Sequence, residues 1–164
     1  MNSPSDLPAP LSRAVQRRLE TAARRAAAFS YSPYSQFRVG AAVLTESGRI
    51  FAGCNVENAS YGLCNCAERT AIFTAAAAGE RRLRAVAVYT PTAAPTLPCG
   101  ACRQVMHEFG PAALVICLCD SPARREEALS ALLPGAFGPE DLLNTPDPAP
   151  PATPRAGRPP RGRH

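Results

Sequence analysis

No lysine and no tryptophan occur among the 164 residues, histidine occurs twice, and aromatic residues make up only 6% of the chain. Every fixed positive side-chain charge therefore sits on arginine. The net charge is +5, but residues 145–164 set Asp147 against Arg155, Arg158, Arg161 and Arg163, so +3 of the excess lies there and +2 is left for the rest. A basic domain face that tracks phosphates is not indicated. The excess belongs to a Pro-rich tail with too little apolar surface to fold, read as solubilising rather than as a polyanion-binding arm. The scarcity of aromatics likewise argues against stacking the bases of a single strand. No uninterrupted apolar run approaches the roughly 18 residues of a membrane-spanning helix. The start, Met1 to Asp6, has no basic segment leading into an apolar stretch, so it does not read as a secretory signal. The expectation is a cytoplasmic protein with neither a membrane nor a nucleic-acid partner. Without an export signal, an odd count of seven cysteines reads as reduced thiols, some of them metal ligands, rather than as a disulfide framework.

A chain of this length holds one ordinary core. The expected division is a flexible segment over 1–10, a single folded domain over 11–144 and a disordered Pro/Arg-rich tail over 145–164. Leu11, Val15, Leu19, Ala22 and Ala26 recur at helical spacing with arginines on other faces, which predicts an amphipathic helix ending near Tyr31-Ser32-Pro33. Arg38 to Thr45 and Arg49 to Asn55 are short apolar runs around Glu46-Ser47-Gly48 and predict a hairpin. Cys66 to Ala78 is Ala-rich with few charges, predicting a buried helix capped at Gly79. Arg84 to Thr90 and Ala113 to Cys119 read as strands, with a helix from Pro98 to Phe109 between them, closed by Gly110. Alternating strands and helices imply parallel crossovers that cover a sheet on both faces. The fold class expected is α/β, a three-layer α/β/α sandwich whose mixed central sheet takes antiparallel pairing from the hairpin. Arg124-Arg125-Glu126-Glu127 is a poor strand sequence, and whether a fifth strand forms there is left open.

Two segments stand out, Cys66-Ala67-Glu68 and Pro98-Cys99-Gly100-Ala101-Cys102. Each opens a predicted helix after a strand and loop, and successive crossovers can set the two helix starts side by side. Cys66, Cys99 and Cys102 could then hold Zn²⁺ tetrahedrally and leave the fourth position to water, the open arrangement of catalytic zinc. Three thiolates leave the site net negative and blunt the metal as a Lewis acid. Helix N-termini offset part of that charge, and Arg69 is placed to hydrogen-bond a ligand sulfur and offset more. Glu68, two residues past a ligand, is placed to face the activated water and act as general acid/base. A lone C-x-x-C would equally suit a redox pair or structural zinc. A redox pair has no need of the third cysteine and the glutamate, whereas Cys64 could close a four-thiolate structural site.

The strings Cys66-Ala67-Glu68-Arg69-Thr70-Ala71 and Pro98-Cys99-Gly100-Ala101-Cys102-Arg103-Gln104 resemble those of the nucleoside-type cytidine deaminases, over about Tyr31 to Leu143. The resemblance implies one Zn²⁺ per subunit and hydrolytic deamination of cytidine and deoxycytidine to the uridine nucleosides plus ammonia, with Glu68 relaying protons to N3 and the leaving amine. It implies that Asn55 and Glu57 meet ribose hydroxyls, which suits a carboxylate that would repel a 5′-phosphate. It implies that Phe37 packs near the base, that backbone groups near Ala67 read the pyrimidine edge, and that Phe137 reaches a neighbouring subunit's site in a homotetramer. The competing readings are core packing for Phe37 and Phe137 and loop capping for Asn55 and Glu57. Cys54, Cys117 and Cys119 read as packing thiols, and His107 as solvated. Rival functions are deamination of blasticidin S or another free aminopyrimidine, editing of polynucleotide cytosines, and a zinc-stabilised structural or nucleic-acid-binding module with the tail as its arm.

Overall fold

The computed structural model describes residues 10–143. Residues 1–9 and 144–164 lie outside the described residues, and with them the expectations for the N-terminal segment 1–10, all but its last residue, and for the Pro/Arg-rich tail 145–164.

Helix α1 (Arg13–Ala27) starts where Ser12 accepts the Val15 N–H, and it carries Arg24 and Arg25 in its last turn, where cations suit the helix dipole. It lays Leu19, Ala23, Ala26 and Ala27 on the sheet. Strands β1 (Gly40–Thr45) and β2 (Ile50–Cys54) form the predicted antiparallel hairpin, with Gly48 at φ 85° in its turn. A 3₁₀ turn (Tyr61–Leu63) leads to α2 (Ala67–Ala77), β3 (Leu83–Tyr89), α3 (Gly100–Phe109), β4 (Leu114–Leu118) and β5 (Arg124–Ala128). The short helices α4 (Leu129–Leu132) and α5 (Pro139–Leu143) follow.

The sheet order is β2-β1-β3-β4-β5, parallel only between β3 and β4. Its strands alternate side chains between faces. Ala42, Leu44, Ala85, Ala87, Leu114, Ile116 and Leu118 meet α1, while Ala41, Val43, Val86, Val88, Val115 and Cys117 meet α2 and α3. The three-layer α/β/α sandwich with a mixed sheet is therefore what forms. Two glycines mark how tightly the layers close. A Cβ on Gly40 would lie 2.1 Å from the Ala23 carbonyl oxygen of α1, and one on Gly53 would lie 2.4 Å from the Ala71 nitrogen of α2.

One expectation needs amendment, and one open question is answered. α2 is not buried throughout: Ala67, Glu68, Ala71, Ile72 and Ala75 pack inward, but Phe73 is 48% exposed on the outer side. A dearth of charge does not enclose a helix that sits in an outer layer. Residues 124–128 do form a regular edge strand, antiparallel to β4. Its charges are what an edge tolerates. Arg124 pairs with Glu20 of α1 (3.0 Å), Gln16 donates to Glu126 (3.0 Å), and Arg125 pairs with Glu127 (2.8 Å).

Candidate active site

β2 leads through a loop to α2 and β3 leads through another to α3, so the two helix starts meet near the C-terminal ends of β2 and β3. Cys66 is the N-cap residue of α2 and Cys99 that of α3; both have extended backbone, and neither side chain caps its own helix. The sulfurs are thus free to face one another, each beside a helix end whose unpaired N–H groups favour a thiolate. Cys102 joins them from the first turn of α3, buried.

The three Sγ atoms lie within 4.8 Å of one another, with Cys66 and Cys99 3.9 Å apart. Tetrahedral zinc with Zn–S bonds of about 2.3 Å sets its sulfurs about 3.8 Å apart, so the trio has the size and the soft donor chemistry for that ion. Among the described residues this is the one cluster of three or more potential ligands. Cys64 stands outside it. Its sulfur accepts the Asn58 N–H at 3.3 Å, closing the 58–64 loop, and that removes the four-thiolate site.

The electrostatics follow from the crowding. A hydrogen bond from Cys102, with help from Arg69, holds the Cys66 thiol well below its usual range, and the same bond together with burial pushes Cys102 up. Arg69 Nη2 donates to Cys66 Sγ at 3.5 Å and to the Cys64 carbonyl at 3.3 Å. Its Nε is buried with no acceptor of its own. An unsatisfied buried donor costs about 1–3 kcal/mol, and negative sulfur charge alongside is the environment that makes this position tolerable. Glu68 is only 4% exposed, and burial, the largest influence on it, raises its carboxyl pKa above the usual value.

A cavity of about 310 Å³ opens in front of these groups, lined by Phe37, Asn55, Glu57, Cys66, Glu68 and Cys99 among others. It brings together metal-cluster, acid/base and resemblance-derived residues that are far apart in sequence. Phe37 is 41% exposed at its wall, so the core reading fails. Asn55 and Glu57 do hold their loops, but from the cavity wall. Asn55 Oδ1 accepts from Ser30 Oγ (2.6 Å) and the Val39 N–H (2.8 Å), while its Nδ2 donates to the Phe37 carbonyl (2.8 Å). Glu57 Oε2 accepts the N–H groups of Tyr34 (2.9 Å) and Ser35 (3.2 Å), and Oε1 accepts Ser35 Oγ. The Ser35 hydroxyl bond is the largest influence holding the Glu57 carboxyl below its ordinary pKa.

Ala67 is fully buried in the first turn of α2, between Cys66 and Glu68. Phe137 is not among the cavity-lining residues; it is 56% exposed beyond α3, where Gln104 Nε2 donates to its carbonyl at 2.8 Å. Sequence reasoning passed over Ser35, Thr90 and Thr96, all at the cavity wall. Thr90 was findable in principle, since it follows the C-terminal end of β3, where α/β sheets place ligands. A larger groove of about 910 Å³ between α1 and β2 contains none of the expected site residues. Cys54 borders it and donates to the Phe29 carbonyl, Cys117 and Cys119 are buried, and His107 is half-buried rather than solvated.

Comparison with known proteins agrees with this geometry. Residues 14–118 match the family described as the cytidine and deoxycytidylate deaminase zinc-binding region. The cytidine deaminase of Sporosarcina psychrophila is 51% identical over 114 residues, covering 69% of this chain and 84% of that protein. The cytidine deaminase of Mycobacterium tuberculosis (strain H37Rv) is 48% identical over 120 residues, covering 73% and 87%. The crystal structure of cytidine deaminase from Burkholderia pseudomallei superposes with a TM-score of 0.72 at 50% identity, over 77% of this chain and all of that one.

Proposed function

This chain belongs to the cytidine deaminases, and on that footing we propose that it hydrolyses the 4-amino group of free cytidine and deoxycytidine, with Cys66, Cys99 and Cys102 as ligands of one Zn²⁺ per subunit. The observation that carries the assignment is the juxtaposition of three sulfurs within 4.8 Å of one another with a carboxylate only 4% exposed, on the wall of one cavity.

Zinc held by the thiolates of Cys66, Cys99 and Cys102 would supply a water acidified for attack at neutral pH. Glu68 would take one proton from the attacking water and deliver it to N3, which makes C4 electrophilic. Glu68 would then take the remaining proton of the hydroxyl added at C4 and pass it to the amine, which departs as ammonia while the C4 carbonyl forms. Burial suits it to that work, because a carboxyl whose pKa is raised can hold the proton between the two transfers. Arg69 balances the thiolate charge at Cys66. Asn55 and Glu57 orient the sugar and Phe37 packs on the base, with backbone near Ala67 at the pyrimidine edge. Ammonia and the uridine nucleoside leave. The Glu57 carboxylate at the sugar end favours a nucleoside over a nucleotide or a polynucleotide.

The functional unit is residues 11–144, acting in the cytoplasm, where its seven free thiols would stay reduced. No helix among the described residues is long and apolar enough to cross a membrane. We further read the working form as a homotetramer in which Phe137 completes a neighbouring site. Phe73, Phe137, Leu142 and Leu143 are exposed and so available to contacts between subunits. Size measurement in solution tests it.

Ammonia release by the zinc-loaded chain should be measured on cytidine, deoxycytidine, deoxycytidine monophosphate, cytosine, blasticidin S and single-stranded RNA. Turnover of the two nucleosides is the expected result. Glu68→Gln should keep its zinc and lose at least about 10²-fold in kcat. Near-wild-type turnover by that variant would remove Glu68 from the chemistry, and turnover of another substrate alone would overturn the sugar site.

A further inference from the structure

The hydroxyl of Ser35 touches both ends of the cavity. Its Oγ donates to Glu57 Oε1 and accepts the Phe37 N–H at 3.0 Å, so one group ties the carboxylate at the sugar end to the residue at the base end. The turn between them is held in a conformation that L-residues rarely adopt. Gln36 has φ 55°, the one positive value at a non-glycine residue among those described, and its N–H is held by the Ser32 carbonyl at 3.0 Å. Such a conformation persists only where its surroundings over-determine it. On the far side, the Tyr34 and Tyr61 rings meet edge-on at 5.9 Å and pin the same loop.

Acceptor capacity decides what this arrangement leaves for a substrate. An ionised carboxylate has about four lone-pair directions. On Glu57, Oε2 spends both of its directions on the Tyr34 and Ser35 N–H groups, and Oε1 spends one on Ser35 Oγ. The remaining direction belongs to Oε1, the oxygen that the Ser35 hydroxyl orients.

We propose that Ser35 is a positioning residue for the nucleoside site: by fixing Glu57 Oε1 it leaves a single aimed acceptor for one sugar hydroxyl, and so sets the preference for hydroxyl-bearing sugars. The inference rests on the nucleoside reading above. Without the Ser35 hydroxyl, Glu57 keeps its charge and its backbone donors, but Oε1 is free to turn and the Phe37 N–H loses its acceptor.

Steady-state kinetics on cytidine, deoxycytidine and 2′,3′-dideoxycytidine test the idea, with zinc content and melting temperature measured on every variant. For Ser35→Ala, KM for cytidine should rise about tenfold, the scale of one hydrogen bond to a charged group, with kcat within about threefold. KM for the dideoxynucleoside should hardly move, so the discrimination between the two sugars collapses. Ser35→Thr, which keeps the hydroxyl, should restore it, and Ser35→Ala should add little in a Glu57→Gln background, because coupled residues are not additive. An equal rise in KM for all three substrates, additive double-variant losses, or unchanged discrimination would each overturn the inference while leaving the enzyme a nucleoside deaminase. Failure of the unmutated chain to turn over any of the three would overturn the nucleoside reading and this inference together.

Discussion

Replacing Gly53 with alanine should damage the metal site from behind. Gly53 lies in β2 with its missing side chain pointed at the first turn of α2. An added Cβ would sit 2.4 Å from the Ala71 nitrogen, 2.8 Å from Thr70 Cβ and 2.9 Å from the Ala67 carbonyl oxygen. Ordinary contact begins near 3.4 Å, so helix and strand must part by about 1 Å. β2 is held by five register pairs with β1, so the yielding element is α2. That helix carries Cys66 at its N-cap and Glu68 in its first turn. Overpacking of this kind costs about 1–3 kcal/mol, which for a domain of this size lowers Tm by about 3–10 °C. A 1 Å misplacement at reacting groups can cost about 10²-fold in rate. The assays are zinc affinity by competition with a chromogenic chelator, thermal unfolding, and kcat for cytidine.

Gly40→Ala supplies the contrast. Its Cβ would meet the Ala23 carbonyl oxygen at 2.1 Å and the Ala27 nitrogen at 2.4 Å, both in α1 on the opposite face of the sheet. It should destabilise at least as much, yet leave zinc affinity near the unmutated value, because α1 carries no ligand. Gly53→Ala protein with unchanged Tm and zinc affinity would refute the packing argument. Equal loss of zinc by both variants would refute the claim that α2 alone transmits the strain.

Arg69→Ala should weaken zinc binding by about 10–100-fold, as loss of a hydrogen bond to a ligand sulfur predicts, measured by the same competition assay. Arg69→Lys should recover only part of it, because a point charge cannot reproduce the two donations to Cys66 and Cys64. Glu57 has a lowered carboxyl pKa in the folded chain, so its charge and the bonds that depend on it are fully present above the ordinary value of 4.5 and are lost only as pH falls through the lower folded value. KM for cytidine should therefore stay flat from neutrality down to about pH 5, whereas a rise beginning near pH 6 would contradict the clamp on Glu57. Cys117 is fully buried, and that burial pushes its thiol to about 12. It should resist alkylation at pH 8 in the folded protein and react on unfolding, which mass spectrometry of the alkylated peptide reads directly.

How much of this was legible in the chain depends on how local each signal is. The metal trio and Glu68 could be read because C-x-E and P-C-x-x-C each sit at one helix start, where spacing alone fixes direction; the only long-range assumption was that successive crossovers abut. The core could be read because β1 from Gly40 to Leu44 and β4 throughout carry no polar side chain and cannot sit at an edge. β5 was illegible for the converse reason: Arg124, Glu126 and their neighbours look like solvated charge until α1 is laid beside them and Glu20 and Gln16 become partners. Ser35 was hidden the same way, as one more polar residue in Ser32-Pro33-Tyr34-Ser35. Its significance lies in a carboxylate 22 residues on that folds back to meet it. A loop residue's role is set by what the fold brings to it, and periodicity carries no information about that. If the Ser35 variants behave as argued, the sugar end of the site is built from a long-range contact, whereas the metal end is written in two short strings. Changes at Cys66, Glu68, Cys99 or Cys102 should then remove most of the chemistry, while changes in the 32–37 loop should alter which nucleoside is chosen.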